Sequence, residues 1–194
     1  MQPKIELLSL ELVSRILDEA FLLMQKPGIK VLDQEARGLL AGAGASVDGE
    51  IVHIPERLVR KALGTTPAEF WLHDRSGNPT VHYGGDDVHF DPGSSGVHIL
   101  DAETGEHRSS QTEDLIELVK VAEMLSAYGA QSTAVVCHDV PTGIGDLYRL
   151  YVVLWYSAKP IVTGAFTTPT LHTMLEMLSV FCKDQTNPGE KPQA

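Results

Sequence analysis

The sequence predicts an α/β protein: a helical cap with small β-hairpins, then the opening strands and helices of a parallel sheet. Three observations predict it. Apolar residues recur at helical spacing through the first third of the chain. Short alternating runs separated by Gly, Pro, Asn and Asp begin at Glu69. From Ser110 onward, strand-length apolar runs alternate with helix-length runs over short connections, the pattern of a parallel sheet covered by helices.

The elements follow in order. Ser9 is placed to cap a first helix, in which Leu12, Val13, Ile16, Leu17, Ala20, Phe21 and Met24 keep a 3.6-residue rhythm until Pro27-Gly28 stops it. Asp33 starts a second helix through Leu39 and Leu40, and Gly44 closes it. In SVDGEIVHIP, Asp48-Gly49 marks a tight hairpin. Pro55 suits the first position of a short helix carrying Leu58, Val59 and Ala62. Residues 1–68 therefore read as a helical cap with a hairpin.

Residues 69–194 read differently. EFWLHD, TVHY and DVHFD are short strands joined by the turns RSGNP and GGDD, and GVHILDAETGEHR is a hairpin turning at Thr104-Gly105. Ser110 and Glu113 have the spacing of a capping box for a helix from Glu113 to about Tyr128, with Leu115, Leu118, Val119, Ala122 and Leu125 on one face. Gly129 ends it. A strand near Ala134–Cys137, a helix from Asp146 to Tyr156, a strand from Ile161 to Thr163 and a helix from Leu171 to Cys182 complete the alternation.

The apolar run at Val135-Val136-Cys137 breaks off into His138 and Asp139. Strands buried on both faces of a parallel sheet are apolar along their length, and ligands gather at their carboxyl ends. His138, Asp139 and Thr142 therefore belong to one loop above the sheet, and Thr163 and Gly164 to the next. A complete (β/α) barrel takes eight parallel strands and about 250 residues. The present 194 residues hold three such units, ending near Asp91, Cys137 and Thr163. Either the sheet is a small open one, or this is the first part of a longer protein; its open edge would be a site for pairing.

Composition excludes several classes. The formal net charge is −11, with no cluster of Lys and Arg, which disfavours nucleic acid and anionic membrane as partners. Two cysteines 45 positions apart make neither a disulfide framework nor a CxxC metal site, so a reducing cytoplasm is the expected location. Glu6, Glu11, Asp18 and Glu19 are incompatible with the apolar stretch of a signal peptide, and the uncharged apolar runs are too short to span a bilayer.

The runs GIKVLDQEARGLLAGAGASVDGEIVHIPERLVRKAL, FWLHDRSGNPTVHYGGDDVHFDPGSSGVHILDAETGEHRSSQTEDL and HDVP…KPIVTG, in this order from about Ile29 to Phe166, resemble the amino-terminal region of the trimethylamine methyltransferase family. The resemblance implies the amino-terminal part of a TIM (β/α)8 barrel. It implies methyl transfer from a methylated amine, such as trimethylamine or glycine betaine, to the cobalt of a separate corrinoid protein. It also implies a place in methylamine metabolism and methanogenesis, and a homo-oligomer. Some family members carry pyrrolysine in later barrel strands, beyond the end of this sequence. The corrinoid would reside on the partner, with no cofactor held directly by this chain.

On this view VHFDPG is the first barrel strand, and the hairpin near 97–108 is an insertion in its carboxyl-end loop. Asp91, Gly93, Ser94 and Ser95 then join His138, Asp139, Thr163 and Gly164 at the barrel mouth.

Methyl transfer from an ammonium asks for aromatic faces or carboxylates around the cation, and the cobalt supplies the nucleophile. Asp91 and Asp139 can supply negative field; a betaine carboxylate would instead want a donor, such as His138 or the amides near Gly93. The alternative role for both aspartates is to cap loops ahead of proline. No catalytic residue is assigned. A metal shared by His138 and Asp139, as in a barrel hydrolase, would need a bent backbone because neighbours on an extended strand diverge. Cys137 reads as core, Lys159 as a structural residue at a strand start, and His82, His89 and His98 as strand-face residues. PGSSG lacks the strand–GxxxxGK[ST]–helix context of a nucleotide loop. A non-catalytic binding or assembly module, completed by a partner chain, is the other functional class.

Overall fold

The computed structural model describes residues 7–181, so the expected helix end at Cys182 and the polar tail lie outside the described residues. The chain divides into two units, residues 1–67 and 68–194.

The first unit is a small antiparallel sheet accompanied by helices. Helix α1 (Leu10–Gln25) is capped as expected, the Ser9 hydroxyl accepting from Leu12 N at 3.2 Å. Helix α2 (Gln34–Ala43) starts at Asp33, whose carboxylate accepts from Ala36 N at 2.7 Å, and ends at Gly44. Strands β1 (Ile29–Lys30), β2 (Ser46–Asp48) and β3 (Ile51–His53) form one sheet in the order β1-β3-β2, with the turn made at Gly49. Gly28 is required where the chain enters β1: its φ is +94°, and a Cβ there would come within 2.9 Å of His53, Ile51 and the Val52 carbonyl.

Helix α3 (Glu56–Leu63) has Pro55 at the N-cap rather than as its first residue, so it starts one position later than expected. The unit buries little. Val52 is inaccessible and Phe21 is buried under the Arg60 guanidinium, 4.7 Å from the ring centre, but Ile16 and Leu22 on α1 stay exposed.

The second unit opens with the hairpin β4 (Phe70–His73) and β5 (Pro79–Tyr83). Asp74 builds its turn by accepting from Ser76 N, Asn78 N and the Asn78 side-chain amide. His82 of β5 lies 2.6 Å from Asp87 and 3.4 Å from Glu69. A second hairpin, β6 (His98–Leu100) and β7 (His107–Ser109), turns on the Asp101 carboxylate, which accepts from Glu103 N and Thr104 N. DVHFD, however, is not a regular strand: its only ladder contact is a parallel bridge from Phe90 to Tyr128, with Gly129 N donating to the Phe90 carbonyl at 3.0 Å.

Three backbone threads then run parallel. Thread one passes through Phe90 and Gly96, and thread two runs from Tyr128 to Cys137 and contains β8 (Gln131–Ser132). Thread three contains β9 (Ile161–Val162). Strand β8 pairs with β9 in register Gln131↔Ile161, while Gly96 bridges Val135 on the other edge. Each thread is followed by a helix: α4 (Thr112–Met124), α5 (Gly145–Tyr156) and α6 (Thr168–Phe181). The described residues therefore form a mixed helix-and-sheet unit with parallel strand–helix repeats, and no closed barrel.

Its core comprises Leu115 and Val119 of α4, Ala134, Val135 and Cys137 of thread two, Leu150 and Val153 of α5, Ile161 and Met174. Full burial of each large side chain contributes about 1.5–3 kcal/mol. Leu118 and Leu125, expected on the same face, are exposed at 40% and 45%. The helix stops at Met124, earlier than expected, because Tyr128 has entered thread two.

The cap of α4 also differs from the expected Ser110–Glu113 pair. It is Gln111 and Asp114 that form the capping box, because the Ser110 side chain is already engaged: it is fully buried and donates to the Val136 carbonyl at 2.7 Å. Strand pairing begins at Gln131, three residues before the apolar run that suggested it. Gln131, Ser132 and Thr133 are buried polar residues, tolerated because Gln131 donates to the Val119 carbonyl at 2.9 Å, Ser132 to the Gly93 carbonyl, and Thr133 meets Thr163. At the opposite end Lys159 Nζ donates to the Ala122 and Leu125 carbonyls, closing α4 and confirming its structural role. No helix of the described residues is long and apolar enough to cross a membrane.

Asp114 joins these layers. It accepts both arms of the Arg108 guanidinium at 2.8 Å and Gln111 N at 2.7 Å while being only 6% exposed. A wholly buried pair that loses one partner costs 3–5 kcal/mol, but Arg108 is 38% exposed, so water offsets part of that loss. Replacing Asp114 with Ala should lower unfolding free energy by roughly 2 kcal/mol, read by urea denaturation. The Arg108 hydrogen bonds hold the Asp114 pKa below its ordinary value, so its contribution is present above about pH 4 and is lost as pH falls through the folded value. The Asp114→Ala protein should show a flatter acid-unfolding profile.

His82 has the opposite sign. The Asp87 hydrogen bond raises its pKa above 6.5, so its stabilising effect is complete below 6.5 and disappears as pH rises through the folded value. Ring titration by NMR should show a raised pKa that returns toward 6.5 in Asp87→Asn.

Candidate functional site

The three threads meet around Ser132 and Thr133, at the end of β8. On one side, Ser132 Oγ donates to the Gly93 carbonyl and Ser95 N donates to the Thr133 carbonyl at 3.3 Å. On the other, the Thr133 and Thr163 hydroxyls lie 3.0 Å apart. Gly93 and Thr163 thus flank the same strand end, and both Gly93 and Ser95 take positive φ, +74° and +61°. Asp91 folds back on its own loop, accepting from Gly93 N at 2.7 Å. Ser94 and Gly164 are exposed on the loops after threads one and three.

His138 and Asp139 turn toward the start of α4. Asp139 Oδ1 accepts from Thr112 N at 2.9 Å, supplementing the helix cap. The His138 backbone N and its ring Nδ1 both reach the Ser110 carbonyl, at 3.0 and 3.1 Å. A carbonyl only accepts, so Nδ1 carries the proton and Nε2 is the basic nitrogen. Asp91 thus shows the local loop cap considered for it, whereas Asp139 caps the start of α4 instead of its own loop. Thr142 begins a short 3-10 turn, Thr142–Ile144, leading into α5.

Cys137 is buried at 2% exposure, and burial pushes its thiol upward, away from the thiolate form that a nucleophile needs. Among the described residues, no group of three or more His, Cys, Asp or Glu is arranged to hold a metal ion.

Two residues on α5 were not singled out as functional in the sequence: Asp146, read only as a helix start, and Arg149. Asp146 and Arg149 are both 2% exposed. Burial acts to raise the Asp146 pKa, but hydrogen bonds from Phe166 N, Thr170 and Leu147 N outweigh it and leave it below the usual value. Asp146 thereby ties the loop after thread three to the start of α5. Arg149 Nη1 reaches the Thr133 carbonyl at 3.3 Å and Ser95 Oγ at 3.5 Å, with the Phe166 ring centre 5.3 Å from its guanidinium carbon. The overlooked signal was periodicity: Asp146, Arg149, Leu150 and Val153 stand at i, i+3, i+4 and i+7, one face of the helix.

Among the described residues, three cavities lie away from these strand ends. One of about 20 Å³ is lined by His73, Arg75, Leu154 and Phe181 among others, and another of about 270 Å³ by Asp74, Glu123, Lys159 and Pro160. Pro160 immediately precedes β9, so the larger marks the amino ends of the strands. The first unit has a groove of about 590 Å³ between α1, Gly44 and His53.

The arrangement is parallel strands under helices with polar side chains gathered at the strand ends, where ligands of α/β sheets bind. The chain matches the trimethylamine methyltransferase family over residues 1–192, and it belongs to that family of methyltransferase enzymes. It is 25% identical to a glycine betaine methyltransferase of Desulfitobacterium hafniense (strain Y51) over 98% of this chain and 40% of the relative. It is 30% identical to a trimethylamine methyltransferase of Methanosarcina thermophila over 70% of this chain and 29% of the relative. With a second trimethylamine methyltransferase, from Methanosarcina mazei (strain ATCC BAA-159 / DSM 3647 / Goe1 / Go1 / JCM 11833 / OCM 88), the identity is 34% over the same shares. The chain spans well under half the length of these relatives.

If Asp139 acts only through the helix start, Asp139→Ala should cost about 1 kcal/mol in urea unfolding, the ordinary value of a lost cap. Asp139→Asn, which keeps an acceptor, should cost only a few tenths.

Proposed function

We propose that this chain is the amino-terminal part of a corrinoid-dependent methyltransferase, comprising the cap and the first three strand–helix units of a (β/α)8 barrel. The substrate is a methylated amine such as trimethylamine or glycine betaine, and the acceptor is the cobalt of a separate corrinoid protein. The observation that carries this reading is the family match along the whole chain, together with parallel threads that are each followed by a helix. Asp91, Gly93, Ser94, His138, Asp139, Thr163 and Gly164 would then stand on the rim of the barrel mouth.

The chemistry asks this face to position an ammonium so that one methyl carbon faces the acceptor. A reduced corrinoid on the partner protein would supply the nucleophile that accepts this methyl group, leaving the carbon–nitrogen bonding pair on the amine, while this chain's residues would supply position and field. The carboxylates of Asp91 and Asp139 contribute negative field near the strand ends, where a cationic substrate would sit. We further place the protein in the cytoplasm as a homo-oligomer; the unpaired, buried Cys137 is compatible with a reducing compartment.

The edges of the sheet support a second reading. Among the described residues, threads one and three ladder only with thread two, as in an assembly module that another chain completes. The two are separated by assaying the protein in its full natural length with reduced corrinoid protein and each methylated amine. A methyl–cobalt absorption spectrum that develops only with substrate is expected. Its absence with every methylated amine would leave the module.

A further inference from the structure

Helix α5 turns its charges inward and its aromatic rings outward. Its charged side chains are Asp146 and Arg149, and both are 2% exposed. The opposite face carries Ile144 at the N-cap, then Tyr148, Tyr151 and Trp155, spaced i, i+4, i+7 and i+11. Tyr148 is half-buried, whereas Ile144, Tyr151 and Trp155 are exposed at 49%, 43% and 62%. The rings form a ladder, with centres 6.3 Å apart from Tyr148 to Tyr151 and 6.1 Å apart from Tyr151 to Trp155. A helix facing water ordinarily shows the reverse, charge outward and apolar side chains inward. Aromatic residues without charge mark the buried centre of a protein–protein contact.

Further strand–helix units do not account for this face. Helix α5 is the middle one of three, packed against both α4 and α6. Added strands would pair with the outer edges of threads one and three, and their helices would cover the free flanks of α4 and α6. The stripe on α5 stays on the outside of such a barrel.

We propose that this stripe is the face on which a second copy of the chain docks, the two α5 helices lying antiparallel about a two-fold axis at Tyr151. Charge and symmetry select that occupant. The formal net charge is −11, so two copies repel wherever their acidic surfaces meet, and the stripe offers contact without charge. A foreign partner would instead be drawn to the carboxylates. The stripe is also self-complementary. Tyr148 stands about 4.5 Å along the helix from Tyr151 on one side and Trp155 about 6 Å on the other, so antiparallel helices set Tyr148 of one protomer against Trp155 of its partner. The exposed parts of the stripe amount to roughly 400 Å² per copy, about half of what a standard interface takes from each partner. Val121 and Met124, exposed on the neighbouring α4, extend the apolar surface. This gives a face to the homo-oligomer proposed above and does not depend on the methyl-transfer chemistry.

The test is sedimentation velocity of the protein in its full natural length between roughly 1 and 100 μM, the range in which an interface of this modest size dissociates. The unmodified protein should self-associate at the upper end. Tyr151→Glu, which sets two carboxylates together at the axis, should raise the dissociation constant at least about 30-fold, the effect of losing a hot-spot residue. Its melting temperature at the lowest concentration should stay unchanged, because Tyr151 is an exposed position. Tyr151→Cys should cross-link two copies on oxidation, since a residue on the axis meets itself. Ile144→Cys, about 10 Å along the helix from the axis, should not.

A protein that is monomeric at every concentration overturns the proposal, and so does an oligomer that Tyr151→Glu leaves intact. A monomer whose melting temperature falls in Trp155→Glu assigns the stripe to cover by the same chain and also overturns it. If Tyr151→Glu does not fold, the cysteine variants decide: cross-linking at Ile144 alone, or at neither position, refutes the inference. Methyl transfer to cobalt by a monomer sinks this inference alone. Tyr151-dependent dimerisation without methyl transfer sinks the catalytic reading alone.

Discussion

The second unit depends on one constraint: thread two must satisfy its backbone on both edges while its side chains are shut away from water. Gly129 N reaches Phe90, Val136 N reaches Gly96, and Gln131 N reaches Pro160 at 2.7 Å. Every residue from Ala130 to Val135 is buried. A buried backbone group without a partner costs about 1–3 kcal/mol, so neighbours on both sides are a condition of this segment lying where it does. The helices follow from the same condition, because Leu115, Val119, Leu150 and Val153 cover the thread once its edges are paired.

Polar side chains do the joining between layers. Ser110 links the end of the second hairpin to thread two, Asp146 links the loop after thread three to α5, and Asp114 gathers the second hairpin onto α4. Each is almost wholly buried, and each has partners that satisfy it. Such groups add modest net stability but exclude alternative registers, because any slip would strand them without partners. Arg149 breaks the pattern: it shares their burial but lacks their complement of partners, and it does so at the strand ends.

The relatives named here are a glycine betaine methyltransferase and two trimethylamine methyltransferases. The residues picked from the sequence as rim positions fall into two groups. Gly93 and Thr163 flank the end of thread two, whereas His138 and Asp139 are drawn toward the start of α4 by Ser110 and Thr112. A polar residue after a strand serves helix capping as readily as ligand contact, and only the position of the next helix tells the two apart.

The sequence by itself determined the order and type of most elements. Helical periodicity, Ser9 and Asp33 as caps, the Gly49 turn and the strand–helix alternation after Ser110 are local properties, set by spacing and by residues whose preferences act within one turn. Tertiary structure decided everything that hinges on partners distant in the chain. Ser110 ceased to be a cap because Val136 claimed its hydroxyl, 26 positions away. Gln131, Ser132 and Thr133 became strand and core, although polar, because Val119, Gly93 and Thr163 met them. Arg149, one charge within an apolar helix, acquired its meaning only when Ser95, Thr133 and Phe166 closed around it. Burial and hydrogen-bond satisfaction are properties of a place in the fold, and a side chain carries no record of that place until the chain has folded around it.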